Sequence, residues 1–183
     1  MDMNGLCNFT DSGLREGCRV FQKGDKVVYP IHGAGVIEGL EQKNIDGKEQ
    51  TYYTLSIPIG NLKISVSATN AENLGVREVM SREMLMQTIS KVQYLPVKMS
   101  DNWNQRYKDN MSKIKTGNLL EVCEVFRNLR LRERERGLSS AEKKMLTTVK
   151  QIIISEIILS HNIEKPAAEE ILEQAFREVD EAV

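Results

Sequence analysis

The apolar residues of this chain change their spacing once, near residue 80, and that single change constrains the fold more than any other feature. Between Phe21 and Thr69 the signals are those of short antiparallel strands: Lys26 to Tyr29, Gly35 to Gln42, Thr51 to Ile57 and Leu62 to Ala68. Asp46-Gly47 separates two of these runs, and Asp-Gly in that position predicts a hairpin. Gly33 and Gly35 lie between the first two strands, where a small barrel needs sharp bends. Pro30 and Pro58 fall at strand ends, where a missing donor does little harm. The stretch from Asn70 to Val79 reads as irregular.

From Ser81 onward the spacing becomes helical. Ser81 is placed to cap a helix with Met84, Leu85, Thr88, Ile89 and Val92 on one face, ended by Tyr94-Leu95-Pro96. Asn102 caps a second helix, which stops at Thr116-Gly117. A third runs from Leu119 to Arg136, with Leu119, Val122, Phe126 and Leu129 as its apolar stripe and Gly137 as its stop. Ser139 and Glu142 form a capping box for a long helix that buries Met145, Leu146, Val149, Ile152, Ile153 and Ile157. Pro166 opens the last helix, with Ile171, Leu172, Ala175, Phe176 and Val179 facing inward. The expected class is α+β: a small Tudor/SH3-like antiparallel β-barrel, residues 20–95, followed by a compact all-α domain, residues 98–183. Residues 1–19 have no usable periodicity and read as a disordered extension, with a tag or a misplaced start codon as the suspected source.

Composition excludes several function classes. With 40% hydrophobic residues, 183 residues can fill a core unaided. No apolar run is long enough to span a bilayer and no secretion signal is visible, so the cytoplasm is expected. Cys7, Cys18 and Cys123 lack metal spacing, and His32 and His161 form no ligand cluster, so neither a metal nor another cofactor is expected. No phosphate-cradling glycine loop, nucleophile elbow or metal motif is present. Cys123 lies beside an apolar stripe and reads as a buried, inert thiol, and His32 as a turn residue. A non-enzymatic protein with no small-molecule substrate is expected.

The charge is unevenly spread. Residues 98–150 carry 13 Lys or Arg against 7 Asp or Glu, whereas residues 151–183 carry 2 against 8. This is either a solvated face with internal ion pairs or the electrostatic footprint of a nucleic acid. Arg127, Arg130 and Arg134 share a helical spacing, but the interleaved Glu133 and Glu135 favour internal pairing there. Lys143 and Lys144 occupy the first turn of the capped helix, against the helix dipole, a placement that suits a phosphate. Trp103, the only tryptophan, stands at a helix start with Arg106 and Lys108 on the flanks. Its spacing with Tyr107 and Ile114 allows a core residue. Its cationic flanks allow a wedge against a base step.

Four motifs in order carry a resemblance: Gly24-Asp25-Lys26-Val27-Val28-Tyr29-Pro30-Ile31-His32-Gly33, Asn70-Ala71-Glu72 with Gly75-Val76-Arg77, Asn102-Trp103 with Arg106-Tyr107-Lys108, and Glu135-Arg136-Gly137-Leu138-Ser139 with Glu142-Lys143. Together they resemble the CarD/CdnL family of bacterial RNA-polymerase-binding transcription regulators, from about Phe21 to the last helix. The resemblance implies an N-terminal Tudor-like domain that binds the polymerase β subunit. It also implies a helical domain that contacts promoter DNA at the upstream edge of the bubble, largely independently of sequence, and stabilises the open complex. A tryptophan that wedges into the minor groove maps to Trp103, with Arg106, Lys108 and Lys143 at matching basic positions. Lys43 and Ile45 match positions at the polymerase face. Ser65 stands where relatives can have a β-contacting arginine, and Gln105 where they can have a second arginine. Two other readings are weighed. Gly24-Asp25-Lys26-Val27-Val28 with Gly33 and Gly35-Val36 also resembles a KOW-like RNA- or ribosome-binding motif. A pure interaction module would keep Trp103 in its core and use the acidic last helix.

Overall fold

The computed structural model describes residues 21–45 and 47–181. Residues 1–19, Asp46 of the expected hairpin turn and the side chain of Val179 lie outside the described residues. Five strands, β1 (Lys26–Tyr29), β2 (Gly33–Ile45), β3 (Lys48–Ile57), β4 (Leu62–Ser67) and β5 (Arg77–Glu78), form one antiparallel sheet in the order β4-β3-β2-β1-β5. Five helices follow: α1 (Arg82–Lys91), α2 (Trp103–Lys115), α3 (Leu119–Arg136), α4 (Ser140–His161) and α5 (Lys165–Glu181). The expected Tudor-like β module followed by an all-α part is therefore observed.

The period-2 alternation of β3 puts Tyr53, Leu55 and Ile57 on one face, where they meet Phe21, Val27, Ile37 and Val66 in a first core. The Tyr53 hydroxyl, buried among them, accepts a hydrogen bond from the Phe21 amide at 3.1 Å. The register of β2 against β3 shifts between Ile37 and Gly39, a bulge that bends the sheet around this core. The irregular stretch after Asn70 contains β5, which pairs Val28 with Arg77 and extends the sheet beyond β1.

Local signals at the helix starts act as expected. Ser81 accepts from the Met84 amide, Asn102 from the Gln105 amide, and Ser139 and Glu142 complete their reciprocal box. The second core gathers Ile114, Val122, Phe126, Leu129, Val149 and Ile153 with Leu172 and Phe176. Leu85, Ile89 and Val92 belong to this core too. Helix α1, counted with the β module in the sequence reading, therefore packs its buried face into the helical core. Met84, expected on the packed face of α1, is instead exposed. Residues 92–98 are not a loose connector. Arg127, fully buried on α3, donates to the carbonyl of Val92, to that of Leu95 at 2.8 Å and to that of Pro96 at 3.3 Å. Burial pushes the pKa of this guanidinium down, and the carbonyl fork serves in place of a counter-ion.

α4 joins the two units. The Ala34 amide donates to Ser155 Oγ at 2.7 Å, Lys26 Nζ to the Leu159 carbonyl at 2.7 Å, and Arg77 forms a bidentate pair with Glu156. Gly33, at φ +101°, lets strand β2 approach so closely that an added Cβ would lie 2.5 Å from Ser155 Oγ. Gly33→Ala is therefore expected to cost about 2 to 5 kcal/mol, the sum of a left-handed backbone penalty and local overpacking. Chemical denaturation checks this, and a cost within experimental error would mean that β2 and α4 have room to separate.

Candidate nucleic-acid and protein interface

Trp103 opens α2 just after its Asn102 cap and is 43% exposed, so the core reading of this residue does not hold. Its ring stacks on half-buried Tyr107 with centroids 5.7 Å apart and planes 27° from parallel. Its Nε1–H donates to Ser139 Oγ at 3.0 Å, across the gap between the starts of α2 and α4. Ser139 Oγ in turn donates to Glu142 Oε2 at 2.7 Å and accepts from the Glu142 amide at 3.3 Å. The helical spacing of Trp103, Tyr107 and Ile114 thus runs from surface to interior, ending at Ile114, which is buried.

Arg106 differs from the sequence expectation. It was expected on the flank of α2, facing phosphate, but only 2% of it is exposed. Its Nε donates to Glu142 Oε1 at 2.7 Å, and one terminal nitrogen donates to the carbonyls of Ser100 at 2.7 Å and Asp101 at 3.1 Å. The reason lies 36 positions away in the sequence. Glu142 uses one carboxylate oxygen to close its capping box and has the other free for a cation, and α2 crosses where Arg106 can reach it. Burial alone would raise the pKa of the Glu142 carboxyl, but hydrogen bonds from Ser139 and Arg106 outweigh it and hold it below the usual carboxylate range. Arg106 therefore anchors the start of α2 and leaves no free fork for DNA.

Lys108 and Lys143 are exposed, as is Lys144 beside it, and among the described residues none of the three makes an ion pair. Much of the remaining basic excess is used internally. Lys113 meets Glu124 at 2.7 Å, and Arg130 and Lys150 each meet Glu173 at 2.7 Å. Burial would raise the Glu173 carboxyl, yet these two cations hold it below its ordinary pKa. The basic segment and the acidic last helix thus neutralise each other in part, while Lys108 lies on α2, the helix that Trp103 opens, and Lys143 and Lys144 lie in the first turn of α4, whose Ser139 cap accepts from the indole.

At the far end of the β module, the three residues named for the polymerase face lie close together. Lys43 Nζ donates to Ser65 Oγ at 2.9 Å, lies 3.4 Å from Glu41 and sits 5.2 Å from the centroid of the Tyr52 ring. Ile45 ends β2 with 40% of its surface exposed. β4, which carries Ser65, is an edge strand of the sheet. Cys123 is buried, and burial pushes its thiol pKa up, away from nucleophilic chemistry. Among the described residues no group of His, Cys, Asp and Glu could hold a metal ion, and no helix is long and apolar enough to cross a membrane.

Residues 21–80 match the family model described as CarD-like/TRCF RID domain, and residues 87–173 match that of the CarD C-terminal domain. The two matches lie on either side of the start of α1. The chain is also similar to a Bacillus subtilis (strain 168) protein described as "Putative transcription factor YdeB", 36% identical over 138 residues, which are 75% of this chain and 90% of the relative. With both units matched in order and a relative aligned over most of its length, this chain belongs to the CarD/CdnL family of transcription regulators.

Proposed function

We propose that the protein is a non-enzymatic regulator that binds the RNA polymerase β subunit through its β module and promoter DNA through the α2–α4 face. It acts in the cytoplasm, associated with the nucleoid through polymerase, and stabilises the open complex at the upstream edge of the bubble. The observation that carries the reading is Trp103: a large aromatic kept at the surface and held by hydrogen bonding between two helices, α2 and α4, that also carry exposed lysines without ion pairs. Exposing such a ring is unfavourable for the free protein, and a base step at a bubble edge supplies the apolar partner it lacks.

The modest size of the lysine patch suits a tethered protein. Non-specific DNA binding typically has a Kd of roughly 10⁻⁴ to 10⁻⁶ M. Attachment to polymerase supplies an effective concentration around millimolar. DNA contacts too weak to act alone then become sufficient. Within the β module, the cluster of Lys43, Ile45 and Ser65 beside the open edge of β4 supports this as the polymerase face, since an edge strand and its alternate side chains make a docking template.

Purified protein is expected to retain RNA polymerase core from a lysate and to lengthen open-complex lifetime on a ribosomal-RNA promoter. Retention of ribosomes or RNA instead would favour the KOW-like reading. Lys43→Glu and Ile45→Ala are expected to weaken polymerase retention by about ten-fold each, the size of an ordinary interface contact, without lowering the melting temperature. Ser65→Arg should strengthen it by adding a second cation to the same patch. Unchanged affinity in all three would move the β-contacting face elsewhere.

A further inference from the structure

Trp103 is held on two sides, and the second side points to a residue that acts through it. Tyr107 covers one face of the indole. The indole nitrogen is the ring's single donor, and it is directed to Ser139 Oγ. A serine hydroxyl offers one donor and two acceptor sites. At Ser139 the donor goes to Glu142 Oε2, and the acceptor sites go to the Glu142 amide and the Trp103 indole. The hydroxyl has no spare capacity and little freedom to rotate. Its carboxylate partner is fixed in turn by Arg106, which is itself tied to the carbonyls of Ser100 and Asp101, just ahead of the Trp103 helix. The hydrogen bonds therefore form a closed circuit from the start of α2 through α4 and back.

We propose that Ser139 is the positioning residue for Trp103, seating the indole in one orientation with its N–H turned toward the protein and one ring face open to DNA. The inference rests on the DNA-contact reading given above. Two consequences follow from the seat. The ring enters a base step already oriented, so little rotamer freedom is lost on contact. The minor groove presents acceptors on every base pair and differs mainly by the guanine amino group. An indole with its N–H already taken has no donor to offer those acceptors, so it responds to the shape and opening of the step rather than to its sequence.

Because the chain has a single tryptophan, its fluorescence reports this residue alone. Four full-length variants test the seat: Ser139→Ala, Ser139→Thr, Ser81→Ala and Trp103→Ala. Ser81 caps α1, so Ser81→Ala controls for the general effect of losing a helix cap. Ser139→Ala is expected to raise the unseated indole population about five-fold, the ratio equivalent to one hydrogen bond of about 1 kcal/mol. This would be read as a larger fast phase in time-resolved anisotropy and faster acrylamide quenching. It should also shorten open-complex lifetime, by less than Trp103→Ala does. Ser139→Thr keeps a hydroxyl and should restore both readouts. Ser81→Ala should change neither, although it too lowers the melting temperature. Wild-type anisotropy and quenching in Ser139→Ala would overturn the proposal, leaving the Tyr107 stack as the only restraint. So would freed motion with an unchanged lifetime while Trp103→Ala shortens it. If Trp103→Ala leaves the lifetime unchanged, the DNA reading fails, and the anisotropy still decides whether Ser139 seats the ring.

Discussion

Arg77→Ala is expected to destabilise the protein by about 3 to 5 kcal/mol, the usual cost of leaving one partner of a buried ion pair alone. Glu156 lies in the C-terminal half of α4 with none of its side chain exposed. Its two oxygens accept from the two terminal nitrogens of Arg77 at 2.6 and 2.9 Å. Without Arg77, the Met80 amide at 3.3 Å would still donate to the carboxylate, but one neutral donor cannot replace a bidentate guanidinium. The same arginine also donates through Nε to the Gly117 carbonyl at 2.8 Å, so its loss loosens the turn between α2 and α3 as well. For a protein of this size, the melting temperature should fall by about 6 to 20 °C. The double variant Arg77→Met with Glu156→Leu should recover most of the loss, because removing both charges also removes the desolvation cost that made the pair necessary. A single-variant loss below about 1 kcal/mol would show that water reaches Glu156 and that the pair behaves as a surface one.

Much of the fold was legible because its determinants are local. The caps at Ser81, Asn102 and Ser139 lie within three residues of the amides they serve, and the alternation of Tyr53, Leu55 and Ile57 is visible along one strand. What was missed depends on partners far away in sequence. β5 is two residues long and exists because Arg77 and Glu78 pair with β1, about fifty positions earlier; so short a strand has no period to detect. The apolar face of α1 announced a buried helix but not which core would bury it, and Leu85, Ile89 and Val92 joined the helical one.

The candidate site divides in the same way. Lys43 lies within hydrogen-bond distance of Ser65, and Lys108 and Lys143 stand exposed. Arg106 was misplaced because a cation on the flank of an amphipathic helix ordinarily faces water. The signal that could have corrected it is in Glu142. A capping box needs only one oxygen of its glutamate, so a box at the start of a buried helix leaves the other oxygen requiring a cation. Ser139 was recognised as a cap, but its role toward Trp103 was not, since nothing in the spacing of 36 residues places an indole beside a hydroxyl.

Trp103→Ala should separate the functional use of this residue from any structural one. Stacking an aromatic on an exposed base is worth roughly 1 to 3 kcal/mol, which corresponds to about five-fold to more than a hundred-fold in open-complex lifetime. Unstacking an intact base step costs a few kcal/mol, so the gain appears where the duplex is already distorted, at a bubble edge, and linear duplex DNA should show a much smaller effect. The structure limits the cost to the folded protein. Because the indole is 43% exposed, its removal opens no cavity of the kind that makes buried aromatic deletions cost about 3 to 5 kcal/mol. The loss is the stack on Tyr107 and one hydrogen bond to Ser139, about 1 to 3 kcal/mol together. Polymerase retention should be unchanged, since Lys43 and Ser65 lie on the sheet and not on the helices. Lys108→Ala and Lys143→Ala make the complementary pair: as phosphate contacts, each should lower the salt slope of DNA binding by about one while affecting all sequences alike. A Trp103→Ala protein that melts several degrees lower yet sustains open complexes for the wild-type time would remove the wedge from the mechanism and leave the lysines as the whole of the DNA contact.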